Sequence, residues 1–352
     1  LTVDSSTHVT ATVSLLNPKV IADLKLGDHG LRIVERRAQN FLPAPDGSHL
    51  LTGEGRTLAS VARLSARDAD AIVAFSRDLE AIADVLRQLV LRPPPNLVEG
   101  FGLNAVREGF NALNAANALR KLSLEGKRNL LDLFTRSAGD MLDDRFESDL
   151  VKALFGFDAI VGNYASPYAA GSAYVMLHHA FGEVNGKKGV WGHAIGGMGA
   201  ITQALAHAAR AHGAKIEVNA PVREVLVERG RAVGVILDDG EVIRARYVAS
   251  NVNPKLLYTR LVRSDAVSPE FLARIKAWRN GSGSFRINVA LSRLPFFTAL
   301  PGEGDHLTAG IILGPHLAYM DRAWQDAREF GWSREPVVEM VIPSTLDETL
   351  AP

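Results

Sequence analysis

The stretch from Gly192 to Pro254 constrains this chain most. It opens on Gly192-His-Ala-Ile-Gly196-Gly197-Met198-Gly199, enters a helical pattern, and continues through short β-type runs, an Asp239-Gly240 hairpin and Tyr247-Val-Ala-Ser-Asn251-Val-Asn-Pro254. A glycine turn that opens a helix lets backbone approach a ligand closely. The helix N-terminus adds N–H donors and partial positive charge for a phosphate or an electron-rich ring. Gly196, Gly197 and Gly199 suit that role, and they equally suit tight packing of a helix against a sheet. The order reads as half of a dinucleotide site. The other half is a strand, a Gly-x-Gly-x-x-Gly turn and a helix. The one near match, Gly100-Phe-Gly102-Leu-Asn-Ala105, follows Pro-Pro-Pro-Asn-Leu-Val-Glu, which leaves little room for the strand, and reads as chance.

The 352 residues suffice for two or more units with cores of their own. Equal numbers of basic and acidic residues, 39 of each, argue against a general nucleic-acid binder. The absence of cysteine excludes disulfides, thiolate metal sites and a redox dithiol, so any redox chemistry must belong to a bound cofactor. No run approaches the roughly 20 apolar residues that span a bilayer, and the opening residues carry no signal or transit pattern. The expected location is cytoplasmic, with peripheral membrane contact as its variant.

Four segments follow from periodicity. Residues 1–56 mix β-type runs and turns, among them Gly30-Leu-Arg-Ile-Val-Glu35 and Ser48-His-Leu-Leu-Thr52. From Thr57 to residue 160 apolar residues recur at three- and four-residue steps, as in Ile72, Phe75, Leu79, Ile82 and Leu86, and predict a mostly helical block. Ser65 with Asp68 resembles a capping box, and Pro93-Pro94-Pro95 stops the helix it opens. In the segment 161–254, Gly213 sits at a helix C′ position. Strands are expected at Lys215–Asn219, Val222–Glu228, Val233–Leu237, Glu241–Arg244 and Arg246–Ser250. The last segment, 255–352, offers a helix near Pro269–Trp278 and strands at Phe285–Leu291 and Pro336–Ile342.

Other candidate sites are weaker. His178 and His179, with His193 nearby, lack a carboxylate at ligand spacing, so pocket lining or packing is favoured and no metal is expected. Tyr174 joins His178 and His179 as a candidate for lining a substrate pocket. No Gly-x-Ser-x-Gly elbow surrounds Ser166, Ser172 or Ser250. The helical block reads as plain core, with a hydrophobic substrate cover or membrane-facing lid as the alternative.

Taken in order, Gly196-Gly197-Met198-Gly199-Ala-Ile-Thr-Gln-Ala-Leu-Ala206, Gly213-Ala-Lys-Ile-Glu-Val218, Val222-Arg-Glu-Val225, Gly234-Val235, Asp239-Gly240 and Ala249-Ser-Asn251 resemble the phytoene desaturase-like flavoproteins, relatives of the flavin amine oxidases. Ser166-Pro167…Gly171-Ser-Ala-Tyr174-Val-Met-Leu-His178-His179 and Ile342-Pro-Ser-Thr-Leu-Asp347…Pro352 narrow the likeness to one branch. The resemblance implies a mixed α/β, two-domain FAD/NAD(P)-binding flavoprotein fold with a helical subdomain. It divides this chain into substrate-domain strands (1–56), helical subdomain (57–160), the centre of the FAD domain (161–254) and substrate-domain sheet (255–352).

It also implies noncovalent FAD and hydride transfer from an apolar small molecule to the flavin. By motif position, Val222 touches the adenine through its backbone, Ala249, Ser250 and Asn251 lie near the cofactor, and the turn Gly196–Gly199 passes the flavin side. The family's opening glycine unit and its second, C-terminal glycine turn are absent, so the chain is expected to be the central portion of such a protein. A non-catalytic scaffold and a flavin-dependent isomerase are the rival readings. No catalytic residue and no oligomeric state is assigned.

Overall fold

Ser65 starts the longest helix as its capping pattern requires. In the computed structural model, which describes residues 15–90, 113, 116–117, 119–281 and 283–350, its hydroxyl accepts the Asp68 N–H at 3.1 Å and the helix runs Ala66–Val90. The Asp68 carboxylate does not complete the box. It is fully buried and accepts the N–H groups of Glu147 at 2.9 Å and Ser148 at 2.7 Å, at the start of helix Asp149–Ile160. Ser148 makes no side-chain cap of its own. A carboxylate from a distant helix therefore satisfies donors there and complements the helix dipole. The near match 100–105 and the triple proline lie outside the described residues.

The chain divides into two units, residues 1–208 with 283–352, and residues 209–282. The main core of the first unit gathers helices 66–90, 138–143 and 149–160. Phe75 meets Phe146 at 5.4 Å and Phe155 at 4.9 Å between ring centroids, both edge-on, which suits the ring quadrupoles. Helix Leu317–Phe330 packs at Gly156, where an added Cβ would overlap Leu317 Cδ2.

Strands from the two ends of the sequence share one sheet. In it β2 (Asn40–Pro43) lies between β3 (His49–Leu51) and β10 (Gly310–Leu313), parallel to β10, and β11 (Val338–Met340) forms the far edge. A separate ladder pairs β1 (Ile33–Glu35) with β6 (Gly192–Ala194), and a small hairpin pairs β4 (Glu183–Val184) with β5 (Lys187–Lys188).

The second unit holds an antiparallel meander, β7 (Val222–Glu228), β8 (Arg231–Leu237) and β9 (Val242–Arg244). Its turns are Arg229-Gly230 and Asp239-Gly240, as the sequence indicates, with positive φ at Arg229, Gly230 and Gly240. Gly213 ends the preceding helix at φ 84°, with Ala214 N–H bonded to Ala209 C=O at 3.0 Å, a Schellman-type closure.

Three expected strands are not strands. Lys215–Asn219, Arg246–Ser250 and Phe285–Leu291 join no ladder among the described residues. Alternation marks a face to be covered, but a strand needs a second backbone to bond to. Phe285 is 89% exposed, so that face is uncovered. Pro336–Ile342 shortens to the three residues of β11.

Candidate functional site

Gly192 begins the site because nothing larger fits. An added Cβ there would lie 2.9 Å from Ile33 Cγ2 and 2.9 Å from Val34 O, and the β1–β6 ladder closes over it with Val34 opposite His193. After Ala194 the chain reverses through two left-handed residues, Gly196 at φ 86° and Gly197 at φ 74°, a pair that favours glycine. Gly197 N–H bonds Ala194 C=O at 2.8 Å, and helix Met198–Ala211 follows at once. Its inner face, Ile201, Ala204 and Ala208, packs on Leu26, Leu31 and Ala194. Gly197 and Gly199 are buried and Gly196 is half-buried.

Asp347 reaches this turn from the other end of the chain. Its Oδ2 accepts Gly196 N–H at 2.7 Å and lies 2.9 Å from His193 Nε2, while Oδ1 accepts the Thr349 N–H at 3.0 Å and hydroxyl at 2.6 Å. Both acidic and imidazole groups are buried. Burial pushes the Asp347 carboxyl up, but the bonds from Thr349, His193 and Gly196 outweigh it and hold the group down at about 2. Two of the turn's donors are thus satisfied from within, Gly196 by Asp347 and Gly197 by Ala194.

A second polar knot lies where β1 leaves its ladder. Arg36 is buried, its N–H bonds Trp191 C=O at 3.0 Å, and Trp191 N–H bonds Gln39 Oε1 at 2.8 Å. Burial lowers the guanidinium to about 10 against the opposing pull of Glu339. Gly310 makes room for this group: a Cβ there would sit 3.1 Å from Arg36 Nη1, 3.3 Å from Glu339 Oε1 and 3.4 Å from Asn40 Oδ1.

The sequence-predicted residues divide between the units. Gly196, Gly197 and Gly199 belong to the first. Val222, which opens β7 and is 37% exposed, and Ala249, Ser250 and Asn251, exposed beyond β9, belong to the second. In the first unit Tyr174 is exposed and stacks on Phe134 at 5.7 Å and 7°. His178 and His179 lie in the short helix Leu177–Ala180. No group of three metal-ligating side chains occurs among the described residues. Nor, among them, is any helix long and apolar enough to cross a membrane.

Sequence reasoning weighed His193 only as a metal ligand and gave Asp347 no role, because 154 positions separate them and no local pattern links them. Arg36 was missed as well, since a basic residue after a short strand reads as surface.

The turn of two left-handed glycines between a strand and a helix does not by itself define a protein class, and the family match supplies it. The chain belongs to the flavin-containing amine oxidoreductase family, whose model matches residues 44–295, and FAD is the cofactor of that family. Among curated proteins, pyridine nucleotide-disulfide oxidoreductase domain-containing protein 2 of Rattus norvegicus is 33% identical over 97% of this chain and 62% of its own length. The zeta-carotene-forming phytoene desaturase of Myxococcus xanthus is 28% identical over 59% of this chain and 36% of its own. The chain therefore spans about three fifths of the rat protein it matches. A solved triple mutant of putrescine oxidase, redesigned in cofactor binding, aligns with TM-score 0.44 and 17% identity over 76% of this chain and 55% of its own.

Proposed function

We propose that this chain is part of an FAD-dependent oxidoreductase that takes hydride from an apolar small molecule. The observation that carries the reading is the left-handed Gly196-Gly197 pair set rigidly between β6 and a 14-residue helix in a member of a flavin-containing family. The residues fit one part of the cofactor and not another. Gly196 and Gly197 carry no side chain and their N–H groups are taken by Asp347 and Ala194, so this part of the turn suits a flat uncharged ring better than a pyrophosphate.

FAD, when bound, supplies the two-electron acceptor for hydride, and the substrate loses one further proton. This chain's residues then position and exclude. In the first unit, Gly196, Gly197 and Gly199 bring backbone close to the ring, and Asp347 holds them there. In the second unit, by motif position, Val222 offers its backbone to the adenine and the exposed run Ala249–Asn251 lies near the cofactor. Tyr174, His178 and His179 are proposed to line the substrate's path. The apolar substrate is supported by the phytoene desaturase among the relatives, and the lack of cysteine leaves the electrons to the cofactor. A cytoplasmic setting, with contact at a membrane surface where such a substrate dissolves, agrees with this reading.

The test is flavin content. Full-length protein should purify with flavin absorbance near one equivalent per chain, bleached anaerobically by an apolar substrate. Colourless protein that also fails to take up added FAD would overturn the proposal.

A further inference from the structure

We propose that the outer face of helix Leu124–Thr135 is a docking surface for an anionic lipid membrane, an inference that rests, for its link to the substrate, on the apolar-substrate reading above. Ser123 starts the helix, its hydroxyl accepting the Gly126 N–H at 3.0 Å. The inner face is occupied. Leu133 joins the main core, and Asn129 Nδ2 donates to Asp78 Oδ2 on helix Ala66–Val90 at 3.1 Å. The outer face is apolar where contact with water alone would favour polar residues. Leu124 is 79% exposed, Leu131 63% and Phe134 50%, and the half-exposed ring of Tyr174 stacks on Phe134. One exposed leucine is ordinary, but several large apolar side chains sharing a face mark a contact surface.

The charges indicate what the surface meets. At 3.6 residues per turn, Phe134, Lys127, Leu131, Leu124 and Arg128 follow one another within about 120° of arc. Both cations are exposed, so basic side chains are interleaved with the apolar ones. Arg120 and Lys121, just ahead of the helix, are exposed too. None of these four has an ion-pair partner among the described residues, whereas Arg67, Arg87, Lys187 and Lys188 of the same unit each hold a carboxylate. Glu125 and Asp132 lie past Arg128 at the edge of the strip, and basic residues outnumber them. Protein interfaces deplete lysine at their centre. On an anionic bilayer, by contrast, leucine and phenylalanine enter the acyl boundary while lysine and arginine reach up to the headgroup phosphates. Tyr174, proposed above to line the substrate's path, then stands at the lipid surface in which an apolar substrate dissolves.

The experiment is flotation of the full-length, flavin-loaded protein with vesicles of equimolar phosphatidylserine and phosphatidylcholine, beside vesicles of phosphatidylcholine alone. Wild type should float with the mixed vesicles, bind the neutral ones at least about tenfold more weakly, and detach as salt rises. Lys127→Ala with Arg128→Ala should weaken binding to the mixed vesicles at least about tenfold and leave binding to the neutral ones in place. Leu131→Ser with Phe134→Ser should weaken both. Leu58→Ser, at an exposed leucine of helix Thr57–Leu64, serves as control and should float as wild type does.

A wild-type protein that floats with neither vesicle would overturn the proposal, as would double variants that float like wild type. Self-association of wild type that Leu131→Ser abolishes, without flotation, would assign the face to a second copy and overturn it equally. Should the serine variants not accumulate, Phe134→Trp is read by quenching from brominated-chain phospholipid in the mixed vesicles. Quenching beyond that of wild type is expected, and its absence counts against the proposal. Colourless protein that still floats through this face refutes the flavin reading and leaves the surface standing, whereas flavin-loaded protein that does not float does the reverse.

Discussion

His193 Nε2 and Asp347 Oδ2 lie 2.9 Å apart across 154 positions of sequence, in a place that water barely reaches. That single bond, with its neighbour from Gly196, joins the turn to the far end of the chain. Its loss should be visible in stability and in pH dependence.

Asp347→Ala should destabilise the protein by roughly 2–4 kcal/mol, because it strands His193, Gly196 N–H and Thr349 without an acceptor. Chemical denaturation of wild type and variant measures this. The wild-type carboxyl titrates at about 2 when folded against 3.8 ordinarily. A depressed acid contributes stability that is full above about pH 4 and is lost as pH falls toward 2. The variant should lack this part of the acid transition, and identical acid profiles would refute the assignment.

His306 carries the opposite pH signature. Its ring is buried, lies 5.0 Å from Phe41 and 6.1 Å from Phe297, and leaves Nε2 without a partner. Burial, helped by His49 and opposed by Asp305, lowers its pKa below the usual 6.5. His49, beside Arg63, is lowered too, chiefly by burial. A lowered histidine favours the unfolded chain once protonated, so stability should be full above about pH 6.5 and decline below it. His306→Phe should flatten that slope between pH 5 and 7 in thermal melts, and an unaltered slope would assign it to other groups.

Gly156 and Leu317 should be energetically coupled. Gly156→Ala drives a methyl into Leu317 Cδ2 and should cost about 1–3 kcal/mol. In a Leu317→Ala background the same change should cost markedly less, since the obstacle is gone. A double-mutant cycle with no coupling term would show that the helices separate freely at this point.

Asp68→Ala should cost roughly 1–3 kcal/mol by leaving the part-buried Glu147 and Ser148 N–H groups without their acceptor. Asp68→Asn, which keeps an acceptor oxygen, should recover part of that loss. Hydrogen exchange confined to the first turn of helix 149–160 checks the mechanism, and protection unchanged there in Asp68→Ala would exclude it.

What was legible in the sequence was local. Ser65, Gly213, Arg229-Gly230 and Asp239-Gly240 each act within a few residues, so helix starts, helix stops and hairpins could be placed from spacing alone. The glycine turn was legible for the same reason, since left-handed backbone demands glycine wherever the turn occurs. Lys215–Asn219 and Phe285–Leu291 misled because alternation describes one strand, and pairing is a property of two.

By itself, then, the sequence determined the Gly196-Gly197 turn, the Arg229-Gly230 and Asp239-Gly240 hairpins, the described helices between residues 57 and 160, and the lack of thiols in this chain. Tertiary structure alone decided that Asp347, and not a ligand phosphate, takes the Gly196 donor, that Asp68 caps a helix 80 residues away, and that Arg36 is buried beside Gly310. The physical reason is common to all three. A buried charge is tolerated only where distant backbone and side chains converge to satisfy it, and convergence across so many residues leaves no periodic trace in the chain.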